Sequence, residues 1–84
     1  MKVVYFVDTL DNHKDELCVF YPENYTDKEK LASAINKQIE KAGFLDSDED
    51  PEGVWEIGRS LAYNGYAQYQ EYEFGIEGVE LIWP

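Results

Sequence analysis

The segment "PEGVWEIGRSLAYNGYAQY", Pro51 to Tyr69, decides the fold. Val54, Ile57, Gly58, Leu61 and Ala62 sit at i, i+3, i+4, i+7 and i+8, the template of an amphipathic helix. Asp50 is a good N-cap residue, and Pro51 suits the first helical position. The competing reading starts from "YNGY", Tyr63 to Tyr66, where Asn-Gly stands between two tyrosines as a hairpin signal. The helix is preferred because "GRSLA" is poor strand material and Asn64-Gly65 also ends helices. A helix running to about Tyr63 or Asn64 is therefore expected.

Working outward, the preceding segment gives the plainest helical signal. "TDKE", Thr26 to Glu29, is a capping box in which Thr26 and Glu29 satisfy each other's amides. Leu31, Ile35 and Ile39 follow every four residues, and Gly43 stands at the C-terminal cap position. The spacing predicts a helix from about Asp27 to Ala42. On its N-terminal side, "VVYFV" (Val3–Val7) and "ELCVFYP" (Glu16–Pro22) read as two strands of a hairpin, joined by the turn formers of "DTLDNHKD". On the far side, "YAQYQEYEF" (Tyr66–Phe74) and "VELIW" (Val79–Trp83) read as strands joined by "GIEG". The expected fold is α+β, a single small domain over residues 1–84. Its order is β-β-α-α-β-β, with a mainly antiparallel sheet and the helices packed on one face.

The chain has 84 residues, is 44% hydrophobic and contains 13 aromatic residues, which sets it apart from a disordered acidic tail. Cys18 is the single cysteine, so no internal disulfide is implied. The apolar run at the N-terminus stops at Asp8, without a cleavage signal and too early to span a membrane. A cytoplasmic protein without membrane contact is expected.

Net charge is −11 and is unevenly placed. Residues 1–41 hold 8 acids and 6 bases, whereas residues 42–84 hold 10 acids and one base, Arg59. Such a field repels nucleic acid and attracts basic protein surfaces. The densest run, Asp46 to Glu52, places five carboxylates in seven residues. Asp46, Asp48 and Asp50 imitate the start of a calcium loop. That loop would need glycine where Pro51 stands and a bidentate glutamate where Ile57 stands. No metal site is expected, and no cofactor motif is present.

Catalysis finds little support. The only histidine, His13, lies in a charged turn, and Cys18 reads as a small core residue of a strand. Tyr63, Tyr66, Tyr69 and Tyr72 recur at intervals of three, interleaved with Glu71, Glu73 and Glu77. They read either as sheet packing or as a recognition surface. Carboxylates beside aromatic rings suit an arginine-rich partner.

The expected function is that of a small acidic inhibitor, not an enzyme. It would occupy the basic site of a nucleic-acid-binding enzyme by imitating DNA or RNA, without itself binding nucleic acid. The residues expected to contact that partner are Asp46, Asp48, Glu49, Asp50, Glu52, Glu56, Tyr66, Tyr69, Glu71, Tyr72, Glu73 and Glu77. In size, charge and lack of catalytic motifs the chain is similar to phage-encoded inhibitors as a class, such as anti-CRISPR and anti-restriction proteins. This likeness is one of type and carries no shared motif. An immunity or antitoxin-like protein neutralising a nuclease, or a regulatory interaction module without mimicry, would draw on the same charge.

Overall fold

A computed structural model describes residues 1–43 and 51–78. The chain order is β1 (Lys2–Asp8), β2 (His13–Phe20), a 3-10 turn (Pro22–Asn24), α1 (Lys28–Ala42), α2 (Pro51–Asn64), β3 (Tyr66–Tyr69) and β4 (Tyr72–Gly78). The four strands form one sheet in the order β2-β1-β4-β3, and every pairing is antiparallel. The α+β architecture expected from the sequence is the one observed.

Residues 51–64 are helical, so the helix reading of the deciding segment holds. Gly65 adopts the left-handed conformation (φ 74) and its amide donates to the Leu61 carbonyl at 2.9 Å, closing α2. The Asn-Gly pair thus serves as a helix terminator followed directly by β3. The proposed N-cap of this helix, Asp50, lies outside the described residues.

Helix α1 ends as expected, at a left-handed Gly43. Its start differs by one residue. Asp27, not Thr26, is the N-cap, and its carboxylate accepts from the Glu29 amide at 2.9 Å. The carboxylate reaches the second helical amide directly, which displaces the Thr26 capping box. Replacing Asp27 by alanine is expected to cost about 1 kcal/mol. Thr26→Ala should cost only a few tenths, and urea denaturation of both variants would show the order.

Strand boundaries also differ from expectation. Strand β2 begins at His13 because the turn is tighter than the sequence suggests. The Asp8 carboxylate accepts from the amides of Leu10 (3.1 Å) and Asp11 (3.4 Å), and Asn12 takes a positive φ of 54°. Its polar start is tolerated because β2 is an edge strand. Tyr66–Phe74 is two strands, not one, with Gln70 and Glu71 between the paired Tyr69 and Tyr72. "GIEG" lies inside β4 instead of forming a turn. The expected strand Val79–Trp83 lies outside the described residues.

The core sits between one sheet face and the two helices. Val4 and Phe74 from the sheet meet Leu31, Ile35 and Ile39 of α1 and Val54, Ile57 and Leu61 of α2. The helices approach closely at Gly58. There the buried Asn36 accepts from the Gly58 amide and donates to the Trp55 carbonyl, both at 3.1 Å.

Candidate functional site

Strand alternation assigns each side chain to a sheet face. Val4, Phe6, Phe74 and Ile76 turn toward the helices, which places Val3, Tyr5, Val7, Glu73, Gly75 and Glu77 on the opposite, outer face. Lys14 and Val19 join them from β2, opposite Val7 and Val3, and Glu16 lies opposite Tyr5. A bulge after Val4 skips Leu17, which packs against the core. From β3, Tyr66 lies on this face opposite Gly75 and is 51% exposed.

The centre of the outer face is built around an absent side chain. A Cβ on Gly75 would stand 2.6 Å from the Tyr5 Cζ, so only glycine lets the Tyr5 ring lie across β4. The Lys14 ammonium sits 4.2 Å from the centre of that ring and 2.7 Å from Oε1 of Glu77. Its hydrogen bond to Glu77 pushes the lysine pKa upward. Val3, 7% exposed, lies beneath this group although no helix covers it. Together Val3, Tyr5, Lys14, Asp15, Glu16 and Glu77 line a shallow depression of about 510 Å³.

A second acidic feature forms where the two hairpins meet. The Thr9 amide and hydroxyl both donate to the Glu71 carbonyl, at 2.9 and 2.7 Å, tying the β1–β2 turn to the β3–β4 turn. This brings Asp8 and Asp11 beside Glu71 and Tyr72. The Tyr72 phenol is pushed above its ordinary range first by burial and then by the charges of Glu71, Asp8 and Asp11.

Among the described residues, those singled out from the sequence do not form one patch. Tyr66, Glu73 and Glu77 share the outer face, and Glu71 lies in the β3–β4 turn. Tyr69 and Tyr72 are packed against the core, Tyr72 meeting the Phe6 ring edge-on at 6.3 Å. Glu52 and Glu56 are exposed on α2, with Glu56 3.9 Å from Arg59. Tyr63 belongs to an interhelical polar cluster in which its hydroxyl donates to Glu29 at 2.8 Å. Asp46, Asp48, Glu49 and Asp50 lie outside the described residues. Sequence reasoning missed Tyr5, Lys14, Glu16, Asp8 and Asp11. Period-two alternation in "KVVYFVD" was the available signal, since Tyr5 must oppose Val4 and Phe6.

Charge is segregated by layer. The sheet with its two hairpin turns carries seven acids against Lys2 and Lys14, whereas α1 carries four lysines against two glutamates. The sheet side is thus the source of the negative field among the described residues.

The remaining candidates are chemically quiet. Cys18 is half-buried against the core, and burial pushes its thiol pKa up, away from nucleophilic character. The cleft between β2 and α1 beside it holds about 60 Å³, far below the roughly 300 Å³ at which small-molecule sites begin. Among the described residues no group of three or more His, Cys, Asp or Glu is placed to hold a metal, and no helix is long and apolar enough to cross a membrane. Compared with family models, curated proteins and solved structures, the chain gives no significant match.

Proposed function

We propose that the protein is a small acidic inhibitor whose sheet side occupies the basic nucleic-acid site of a partner enzyme. The observation that carries this reading is the segregation of charge: seven acids against two lysines on the sheet and its turns, beside a lysine-rich α1. A protein that used charge only for solubility would gain nothing from concentrating one sign on one layer, because like charges repel at a cost to folding. Duplex DNA presents about one charge per 1.7 Å of axis, so a site that binds it is lined with Lys and Arg. Carboxylates on a rigid sheet approach such a site with electrostatic steering and block it by occlusion. The partner keeps its catalytic residues and cannot load its substrate. Phage-encoded anti-CRISPR and anti-restriction proteins are the type of inhibitor this describes.

Mutual exclusion tests the reading. The protein, immobilised and exposed to a nuclease-treated lysate, should retain a partner that duplex DNA or RNA releases in proportion to its concentration. Association with that partner should slow steeply between low and high salt. Asp11→Asn with Glu71→Gln, and separately Asp46→Asn, Asp48→Asn, Glu49→Gln and Asp50→Asn together, should each slow association more than they speed dissociation. A partner that holds nucleic acid and this protein at the same time would overturn the proposal, as would salt-independent association.

A further inference from the structure

We propose that the Tyr5 ring and the Glu77 carboxylate form a receptor for an arginine side chain of the partner, and that Lys14 occupies it in the free protein. The inference rests on the proposed function in taking the partner to be basic.

The register shows that Lys14 is drawn to this place. Lys14 lies opposite Val7, and Val7 lies opposite Glu73, so Glu73 is the carboxylate directly across the sheet. The ammonium instead reaches Glu77, four residues further along β4, and lies over the Tyr5 ring on the way. Four strand residues span about 13 Å. A lysine that passes the acid across the sheet to reach a ring and a carboxylate marks a place on this face where the two groups hold a cation together. The ring is fixed in turn, because Gly75 leaves the space in which it lies.

Arginine fits the site better than its present occupant. A guanidinium stacks flat on an aromatic face, binds a carboxylate through two parallel N–H groups and is less strongly hydrated than an ammonium. Charge complementarity favours a second cation as well. Among the described residues the outer face sets three carboxylates, Glu16, Glu73 and Glu77, against one lysine, and the ion pair of Lys14 is with Glu77. The Lys14–Glu77 pair is about half exposed on both sides, so an incoming side chain exchanges with a weak surface ion pair.

The probe is the capped tripeptide acetyl-Gly-Arg-Gly-amide, titrated into protein carrying ring-labelled tyrosine and followed by NMR. With Lys14→Met, which keeps the apolar stem and removes the competing charge, the Tyr5 ring signals should shift saturably. Affinity should be about fivefold higher than in wild type, the scale of an exposed cation–π contact. Adding Glu77→Gln should return that gain, and the lysine tripeptide should bind more weakly than the arginine one. Lys14→Gln provides the same test if the methionine variant is poorly soluble. Equal shifts at Tyr21, Tyr63 and Tyr5, or affinity indifferent to Glu77→Gln, would show general attraction to an acidic protein and overturn the receptor. Because no nucleic-acid-binding partner enters this titration, a saturable Tyr5 response stands even if mutual exclusion fails. A silent Tyr5 overturns the receptor and leaves the mutual-exclusion result unaffected.

Discussion

Phe74→Ala should lower folding stability by about 3–5 kcal/mol, the largest loss expected from any single truncation in this domain. Phe74 is 1% exposed and lies on β4, flanked by its register partners Phe6 on β1 and Ala67 on β3. The Phe6 ring stands 6.4 Å away, and the helices close the remaining side. Ala67 is too small to fill the space that the lost ring would leave, and the neighbouring strand backbones are fixed by hydrogen bonds. The site therefore cannot collapse, and the cavity term adds to the lost transfer energy. A domain of this size has a total stability near the low end of the roughly 5–15 kcal/mol range, so much of the variant should be unfolded at 25 °C. Urea denaturation followed by tryptophan fluorescence measures this. A loss under about 1 kcal/mol would mean that the ring is not the centre of the core. Tyr66→Ala, which removes an equally large ring from the outer face, should change stability by less than about 0.5 kcal/mol by comparison.

The features that could be read from the sequence are those fixed by local chemistry. The Leu31, Ile35 and Ile39 stripe and the glycine after Ala42 specify α1 with no knowledge of its partners, and all three side chains are buried. The break between β3 and β4 could not be read in this way. A two-residue connection needs positive φ, which normally announces itself as glycine or asparagine. Here Gln70 adopts φ 52°, held by the Tyr69–Tyr72 pair and by Thr9 binding Glu71 from a turn 62 residues earlier in sequence. The missed turn has a direct consequence for the tyrosines. Their interval of three reads as sheet packing or as a recognition surface, and alternation and the hairpin divide them, sending Tyr66 outward and Tyr69 and Tyr72 against the core. The candidate site was hidden for the same reason. Tyr5, Lys14 and Glu77 come from three strands, and only the order β2-β1-β4 places them together. The charge asymmetry, legible as a difference between chain halves, becomes a difference between layers once Asp8 and Asp11 join Glu71.

Gly58→Ala should destabilise the protein by about 2–3 kcal/mol, although alanine is the better helix former by about 1 kcal/mol. Gly58 is an interior helical glycine on the apolar stripe of α2, where an isolated helix would favour alanine. Its value lies in what it admits. A Cβ there would stand 2.6 Å from the Ala32 carbonyl oxygen and equally close to Asn36 Cγ, and nearer still to Asn36 Oδ1. The backbone of α1 cannot give way cheaply, because Ala32 is fully buried and its neighbours Leu31 and Ile35 hold the core. Asn36 would have to withdraw, leaving a buried amide without the Gly58 and Trp55 partners it now has. The signs of the two effects are opposite, so the measurement discriminates sharply. If close helix packing governs the position, Gly58→Ala lowers the denaturation midpoint; if intrinsic propensity governs it, the midpoint rises. A double-mutant cycle refines the test. Asn36→Ala removes the side chain that the new methyl strikes, so the double variant should be less damaged than the sum of the single losses. The rescue should be partial, since the Ala32 carbonyl stays in place in both backgrounds. Full additivity would show that Asn36 and Gly58 do not share the contact, and a stabilised Gly58→Ala would place the two helices further apart than described.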